Sequence, residues 1–136
     1  MKLFISRIAM VCMLAAGTGA FPANSLISEE TGELLAALVR ASLEYDLYNA
    51  RCRGNAASTK TEDSNRLFLS KYRLTVNQVI SLYIGKDDRA ERAAMEQGFL
   101  QKLSLLGGCD MAKKKKLKKE LDETYRRLSE QISSLP

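Results

Sequence analysis

The sequence contains no histidine and no tryptophan. Without histidine, the chain lacks the base of Ser-His-Asp and Cys-His nucleophiles and the imidazole ligands of many metal sites. It also lacks the one side chain whose charge ordinarily changes near neutral pH. These absences argue against the commonest hydrolase and metalloenzyme mechanisms. We therefore predict a protein that is not an enzyme, with no catalytic residue, no metal site and no cofactor.

Proline is scarce as well. The two prolines, Pro22 and Pro136, lie outside every segment that has a regular apolar repeat, so neither interrupts a helix. No stretch alternates apolar and polar residues over the length of a strand. The fold class that we predict is all-α, a small antiparallel helical bundle of four to five helices with one disulfide, after an N-terminal signal peptide.

The first twenty residues have the pattern of an export signal. The basic residues Lys2 and Arg7 come before the apolar run 8–16. Thr18 and Ala20 supply small residues before a cleavage site. The apolar run is too short to span a bilayer, which needs about 20 residues. We expect a cleaved signal peptide at 1–20, a single domain at 21–136 and secretion, which we interpret as export to a bacterial periplasm.

The charge balance is mildly basic. The chain has 21 lysines and arginines against 16 aspartates and glutamates, which gives a net charge of +5. Lys2 and Arg7 would leave with the signal peptide, which has no acidic residue, so about +3 would remain. This balance falls short of the strongly basic surface of nucleic-acid-binding proteins. We predict no nucleic-acid partner.

Three cysteines are present, and Cys12 lies within the predicted signal peptide. Cys52 and Cys109 remain as an even pair in an oxidising compartment, where disulfides form. We predict a disulfide between them, which would close a loop of about 57 residues and contribute roughly 4 kcal/mol in the chain-entropy model. The alternative is two separate thiols.

Apolar residues recur at helical spacing in five segments of the mature chain. The predicted helices cover 29–53, 62–72, 76–84, 88–106 and 110–133. Ser28 is a favourable N-cap for the first helix, and Thr75 with Gln78 forms a capping box for the third. Cys52 ends the first predicted helix and Cys109 precedes the fifth. A disulfide between them would make these two helices antiparallel neighbours.

Six lysines follow shortly after the last cysteine: Lys113, Lys114, Lys115, Lys116, Lys118 and Lys119. The start of a helix favours acidic side chains, so helix stability does not explain this run. One interpretation is a docking patch for an anionic partner. The other is a solvated charge run that Glu120, Asp122 and Glu123 neutralise at i,i+4 spacing.

A second candidate segment ends the first predicted helix. Tyr48, Arg51 and Arg53 are of the residue types that are enriched at binding hot spots, and Tyr48 and Arg51 lie off the apolar stripe of the helix. The alternative is that the arginines are solvated or bind the last carbonyl groups of the helix. A disulfide would bring this segment beside the lysines. We call the predicted partner-binding surface the basic corner: Tyr48, Arg51, Arg53, Lys113, Lys114, Lys115, Lys116, Lys118 and Lys119.

The segment Leu74-Thr75-Val76-Asn77-Gln78 resembles the LTxxQ pattern of the periplasmic stress chaperones. Those proteins carry the pattern twice, and this chain has it once. The resemblance implies a helical, exported and non-enzymatic protein. A capping box accounts for the same residues without kinship.

We expect the protein to act by binding. The first hypothesis is that the basic corner binds an acidic protein partner, as an inhibitor, immunity or accessory protein. The second is a chaperone-like holdase, which needs a large exposed apolar patch. The third is a membrane-surface module, with the leucines of the last helix on anionic lipid. An anionic glycan or a second copy of the chain are further candidate partners.

Overall fold

The computed structural model describes residues 27–136, and within this range the chain forms six α-helices and no strand. The helices are α1 (Glu29–Arg53), α2 (Thr59–Tyr72), α3 (Val76–Tyr83), α4 (Asp88–Leu106), α5 (Gly108–Lys114) and α6 (Leu117–Ser134). The predicted all-α fold is confirmed for this range, and the predicted count of four to five helices is too low. The predicted signal peptide, its cleavage site and Cys12 lie outside the described residues.

α1 is the central helix of the bundle and packs against α2, α3, α4 and α6. It begins after the predicted N-cap, where Ser28 Oγ accepts a hydrogen bond from the Thr31 backbone N–H at 3.1 Å. It ends at Gly54, whose φ of 66° suits a residue without a side chain. Both predicted boundaries of α1 are therefore confirmed.

The larger of two apolar clusters fills the space between α1, α2, α3 and α6. Its fully buried side chains include Leu35 and Leu38 of α1, Phe68 of α2, Ile80 of α3 and Ile132 of α6. We call it the first core cluster. Burial of each such side chain contributes about 1.5–3 kcal/mol, so this cluster fixes the four helices relative to one another.

A smaller apolar cluster lies between the late part of α1 and helices α4, α5 and α6. Its buried members are Tyr48, Phe99, Leu103, Ala112, Leu117 and Leu121. We call it the second core cluster. The early part of α1 shares the first cluster with the end of α6, and the late part of α1 shares the second cluster with the start of α6. α1 and α6 are therefore antiparallel.

The prediction of one continuous last helix is wrong, because the helix is interrupted at Lys115 and Lys116. Lys116 has a φ of 56°, in the left-handed region. Ala112 and Leu117 explain the break: they are five residues apart, and on a continuous helix they would point in directions about 140° apart. The left-handed residue resets the helical phase, so both side chains are buried in the second core cluster.

α2 begins at Thr59, earlier than the predicted start at Glu62. The reason is a cap supplied by another helix. The buried Asp46 carboxylate of α1 accepts hydrogen bonds from the backbone N–H groups of Lys60 (3.1 Å) and Thr61 (2.8 Å) and from the Thr61 hydroxyl (2.7 Å). These bonds satisfy N–H groups that the start of a helix leaves open, and they join α1 to α2.

Candidate functional site

The Cys52–Cys109 disulfide is present, with the two Cα atoms 5.4 Å apart. The prediction of the bridge is confirmed, and the alternative of two separate thiols is wrong. The bridge joins the last turn of α1 to the first turn of α5, and both cysteines are half-buried. It therefore brings the end of α1 next to the lysines of α5 and α6.

A groove with a cavity volume of about 590 Å³ crosses this bridged corner. One wall comes from α1, and the other comes from α5 and the start of α6. Besides the two cysteines, the groove is lined by Tyr48, Arg53, Asp110, Lys113, Lys116 and Lys118. We call it the basic groove. The disulfide connects its two walls, so a covalent bond sets how far apart they lie.

The structure divides the predicted basic corner into two parts. Inside the basic groove lie Tyr48, Arg53, Lys113, Lys116 and Lys118. Outside it lie Arg51, Lys114, Lys115 and Lys119, all of them exposed. Arg51 lines a separate groove of about 430 Å³ on the α4 side of the disulfide. The lysine run is therefore not one uniform patch.

The position of Tyr48 corrects the prediction that it lies off the apolar stripe of α1. Only 4% of its surface is exposed, because α5 and α6 pack over this side of α1 with Ala112 and Leu117. Tyr48 belongs to the second core cluster and also forms part of the groove wall. A wall that is already ordered lowers the entropic cost of binding.

The cations of the basic groove have no ion-pair partner among residues 27–136. No carboxylate of this range lies within 4.0 Å of the charged groups of Arg53, Lys113, Lys116 or Lys118. The alternative hypothesis of a neutralised charge run holds for Lys119, which lies 3.7 Å from Glu123. It does not hold for Asp122, which pairs with Lys60 at 3.8 Å.

The first turn of α6 adds to the positive potential of the groove. α6 begins after the left-handed Lys116, and no side chain of the described part of the chain caps its first N–H groups. The N-terminus of a helix carries a partial positive charge, and Lys116 and Lys118 lie beside it. Lys116 and Lys118 thus place positive charge beside a helix start where helix stability favours negative charge, although the first turn of α6 also contains Glu120.

Sequence reasoning missed Asp110, the acidic residue on the groove wall. It lies in the first turn of α5, where an acidic side chain is favourable for the helix. Its position directly after Cys109 is the sequence signal, because the disulfide ties it to the bridged corner. With Asp110 included, the four cations give the groove walls a net charge of +3.

A second groove of about 520 Å³ is lined by residues of α2, α3 and α4. We call it the α2–α3 groove, and its cations are Arg66 and Arg92. Arg92 donates hydrogen bonds from Nε (3.1 Å) and Nη2 (2.7 Å) to Asn77 Oδ1. Arg66 lies 3.9 Å from Glu62 and 3.7 Å from Asp63. Both cations of this groove therefore have partners on the protein.

The segment that resembles the LTxxQ pattern has structural roles. Thr75 and Gln78 form the predicted capping box: the Gln78 N–H donates to Thr75 Oγ1 at 3.1 Å, and the Thr75 N–H donates to Gln78 Oε1 at 2.8 Å. Val76 belongs to the first core cluster, and Leu74 packs against it. Asn77 holds Arg92. Capping and packing therefore account for all five residues.

Neither a metal site nor a membrane span is found in the part of the chain that the structure describes. Among residues 27–136, no three cysteine, aspartate or glutamate side chains come together as metal ligands would. None of the helices α1–α6 combines the length and the hydropathy that a membrane crossing requires.

Comparisons with known proteins give no family assignment. No protein-family model, no curated protein and no solved structure matches this chain. The geometry and charge of the basic groove are therefore the basis for inferring function.

Proposed function

We propose that the protein binds an acidic protein partner through the basic groove, as an inhibitor, immunity or accessory protein of an oxidising compartment such as the bacterial periplasm. The observation that supports this proposal is the set of four groove cations without an ion-pair partner within residues 27–136. Carboxylates of an acidic partner would supply the missing counter-charges and steer its approach.

The residue types of the groove walls favour a protein partner. Tyr48 and Arg53 are of types enriched at binding hot spots. The planar guanidinium of Arg53 can donate two hydrogen bonds to one carboxylate, whereas each lysine acts as a point charge. In this arrangement Arg53 and Tyr48 give specificity, and the lysines mainly accelerate association.

Export of the protein is supported by its disulfide. Structural disulfides persist in oxidising compartments and are rare in the cytosol, and the Cys52–Cys109 bridge joins two helices that carry the basic groove. Cleavage after Ala20 would leave a mature chain that begins at Phe21. N-terminal sequencing of the protein from a periplasmic fraction is expected to read Phe21 first, and recovery of the uncleaved chain in the cytosol would contradict export.

The alternative functions find less support. A membrane-surface module needs a free apolar face on α6, and the apolar residues of that helix are buried in the bundle: Leu117, Leu121, Tyr125, Leu128 and Ile132. A holdase needs a large contiguous apolar patch. Within the described range, the exposed large apolar side chains lie on four different helices: Leu69, Leu82, Leu105 and Met111.

The proposed function is tested with two variants that have the same change in charge. The groove variant carries Arg53→Glu, Lys113→Glu and Lys118→Glu. The control variant carries Arg51→Glu, Lys114→Glu and Lys115→Glu, which are exposed residues of the same corner outside the groove. Lys116 is left unchanged in both variants. Its backbone is left-handed, so a substitution there would change the stability of the protein as well as its charge.

The oxidised wild-type protein and both variants, each beginning at Phe21, serve as baits in periplasmic extract at low and high salt. We expect an acidic partner that the groove variant loses and the control variant retains, with weaker capture at high salt. Equal capture by the two variants, or no acidic partner for the wild type, would contradict the proposal. Recovery of a second copy of this chain would favour the homodimer instead.

A further inference from the structure

The two walls of the basic groove carry charges of the same sign and are joined by one covalent bond. The α1 wall carries Arg53, and the wall of α5 and α6 carries Lys113, Lys116 and Lys118. Like charges across one groove repel each other, and the repulsion weakens as salt rises. The Cys52–Cys109 disulfide holds the walls together against this repulsion.

Helix α5 has few other attachments to α1. It has seven residues, and of these Ala112 is buried. Left-handed residues lie at both of its ends, Gly107 and Gly108 at the start and Lys116 just after it. It packs mainly against α4 and α6, and its covalent link to α1 is the disulfide. Cleavage of this bond would leave α5 attached to the second core cluster by Ala112. The part of the wall that carries Lys113 could then move away from α1, while the start of α6 stays packed on α1.

We propose that reduction of the Cys52–Cys109 disulfide and occupancy of the basic groove by an acidic partner oppose each other. This inference rests on the proposed function of the groove. An acidic occupant neutralises the wall charges and covers the bridge, since both cysteines line the groove. Reduction lets the α5 part of its wall move away from α1, and the occupant then loses contacts with that part. Because the two equilibria are linked, each changes the other by the same factor.

The reductant is a dithiol, such as dithiothreitol or the reduced active site of a thiol–disulfide oxidoreductase. One of its thiolates attacks a sulfur of the bridge, the S–S bond breaks, and a mixed disulfide forms while the other cysteine leaves as a thiolate. The second thiolate of the reductant then displaces the remaining cysteine, and the reductant becomes a disulfide. Two electrons pass to the protein, and its two cysteine thiolates take up the protons that the dithiol gave up.

Affinity in the two redox states is the first measurement. The probe is a fluorescent peptide of ten aspartates, titrated into the mature oxidised protein and into the same protein kept reduced by dithiothreitol. We expect the reduced protein to bind about tenfold more weakly, with its helix content unchanged in circular dichroism. The Cys52→Ser/Cys109→Ser variant is expected to bind like the reduced protein.

The reduction midpoint is the second measurement. The protein is equilibrated in buffers of graded dithiothreitol redox ratio, with and without saturating peptide, and the reduced fraction is counted by mass after alkylation. We expect the peptide to shift the midpoint by the same factor of about ten. Without peptide, Arg53→Glu makes the walls attract each other and should resist reduction about threefold more strongly. The exposed Arg127→Glu on α6 should match the wild type.

The outcomes separate this inference from the proposed function. Equal affinity in both redox states, or a midpoint that the peptide does not move, would overturn the linkage and leave the proposed function intact. Binding in neither state would overturn both. An Arg53→Glu midpoint equal to that of Arg127→Glu would overturn wall repulsion as the physical basis of the linkage.

Discussion

The basic groove and the α2–α3 groove have similar volumes, about 590 and 520 Å³, and both are lined by cationic side chains. In the α2–α3 groove the arginines have partners: Arg92 donates to Asn77, and Arg66 lies near Glu62 and Asp63. In the basic groove, the cations have no ion-pair partner within residues 27–136. Volume does not separate the two grooves. Net charge and the pairing of the cations do, since the lining of the α2–α3 groove has two arginines and Glu62.

The two grooves also differ in what holds their walls together. α2 and α3 meet through the first core cluster, where Phe68, Val79 and Ile80 are fully buried. The walls of the basic groove meet through the smaller second core cluster and the disulfide. The candidate binding surface is thus distinguished by cations that have no ion-pair partner among residues 27–136 and by a disulfide that joins its two walls.

Removal of the disulfide should produce the largest effect and should change one groove only. The bridge closes a loop with a sequence separation of 57. We expect Cys52→Ser/Cys109→Ser to lower the free energy of unfolding by about 4 kcal/mol, as measured by urea unfolding. Amide hydrogen exchange should rise in α5 and stay slow around Phe68. An equal rise around both grooves would contradict the different support that we assign to them.

Charge reversal should separate the two grooves by their binding. We expect Arg53→Glu/Lys113→Glu to weaken binding of the ten-aspartate peptide about 30-fold, measured by fluorescence anisotropy. The matched change in the other groove, Arg66→Glu/Arg92→Glu, should cost less than about twofold, because distant exposed charges are screened by salt. Equal losses would show that net charge attracts the peptide and that the basic groove does not.

Two left-handed residues, Lys116 (φ 56°) and Arg73 (φ 57°), give a matched pair of smaller effects. Glycine adopts this conformation without the clash of a Cβ atom, so each change to glycine should raise the free energy of unfolding by about 0.5–1 kcal/mol. Only Lys116→Gly removes a cation from the basic groove, and it should weaken peptide binding about threefold. A lower free energy of unfolding for either variant, measured with urea, would contradict a left-handed conformation at that residue.

The smallest effect concerns alkaline pH and the first core cluster alone. Burial raises the pKa of Tyr72 and of Tyr83, and their hydroxyl oxygens are buried without a hydrogen-bond partner in the described part of the chain. Because the folded-state pKa exceeds the unfolded value of about 10, their stabilising effect is complete below about pH 10 and is lost as pH rises through the folded-state pKa.

The urea midpoint should therefore stay level up to about pH 9 and fall above about pH 10. Tyr83→Phe removes one of the ionisable groups and should make the fall shallower, with peptide binding at neutral pH unchanged. A fall as steep as that of the wild type would show that Tyr83 does not contribute to the alkaline loss.

Local signals were enough to predict much of the fold. Ser28 and Gly54 mark the two ends of α1, and Thr75 with Gln78 marks the start of α3. The disulfide was predicted from an even pair of cysteines, Cys52 and Cys109, in a chain that we propose to be exported. Each of these inferences depends on a residue type or on neighbours a few positions apart, which a sequence displays directly.

Features that depend on packing between distant segments could not be predicted in the same way. Asp46 caps α2 from a different helix, so the sequence near Thr59 does not indicate that a helix begins there. The break at Lys116 depends on the burial of both Ala112 and Leu117 in one cluster. Their spacing of five residues is the one sequence signal of the break, since a regular helical stripe uses spacings of three and four.

The candidate site was predicted in outline and not in detail. The sequence brings the arginines of α1 and the lysine run to one corner through the disulfide. It does not reveal which lysines share a groove, because that depends on the change of chain direction at Lys116. It also does not reveal that Tyr48 is buried, because the segment that covers it lies more than sixty residues later in the chain.

The most direct test of the basic groove as the binding surface is an NMR titration of the oxidised, isotope-labelled protein with the ten-aspartate peptide. We predict amide shifts at Tyr48, Arg53 and Lys118 that saturate together, while the amides of Asn65 and Asn77 beside the α2–α3 groove stay unmoved. Shifts concentrated at Asn65 and Asn77, or no shift at any residue of the basic groove, would contradict the claim.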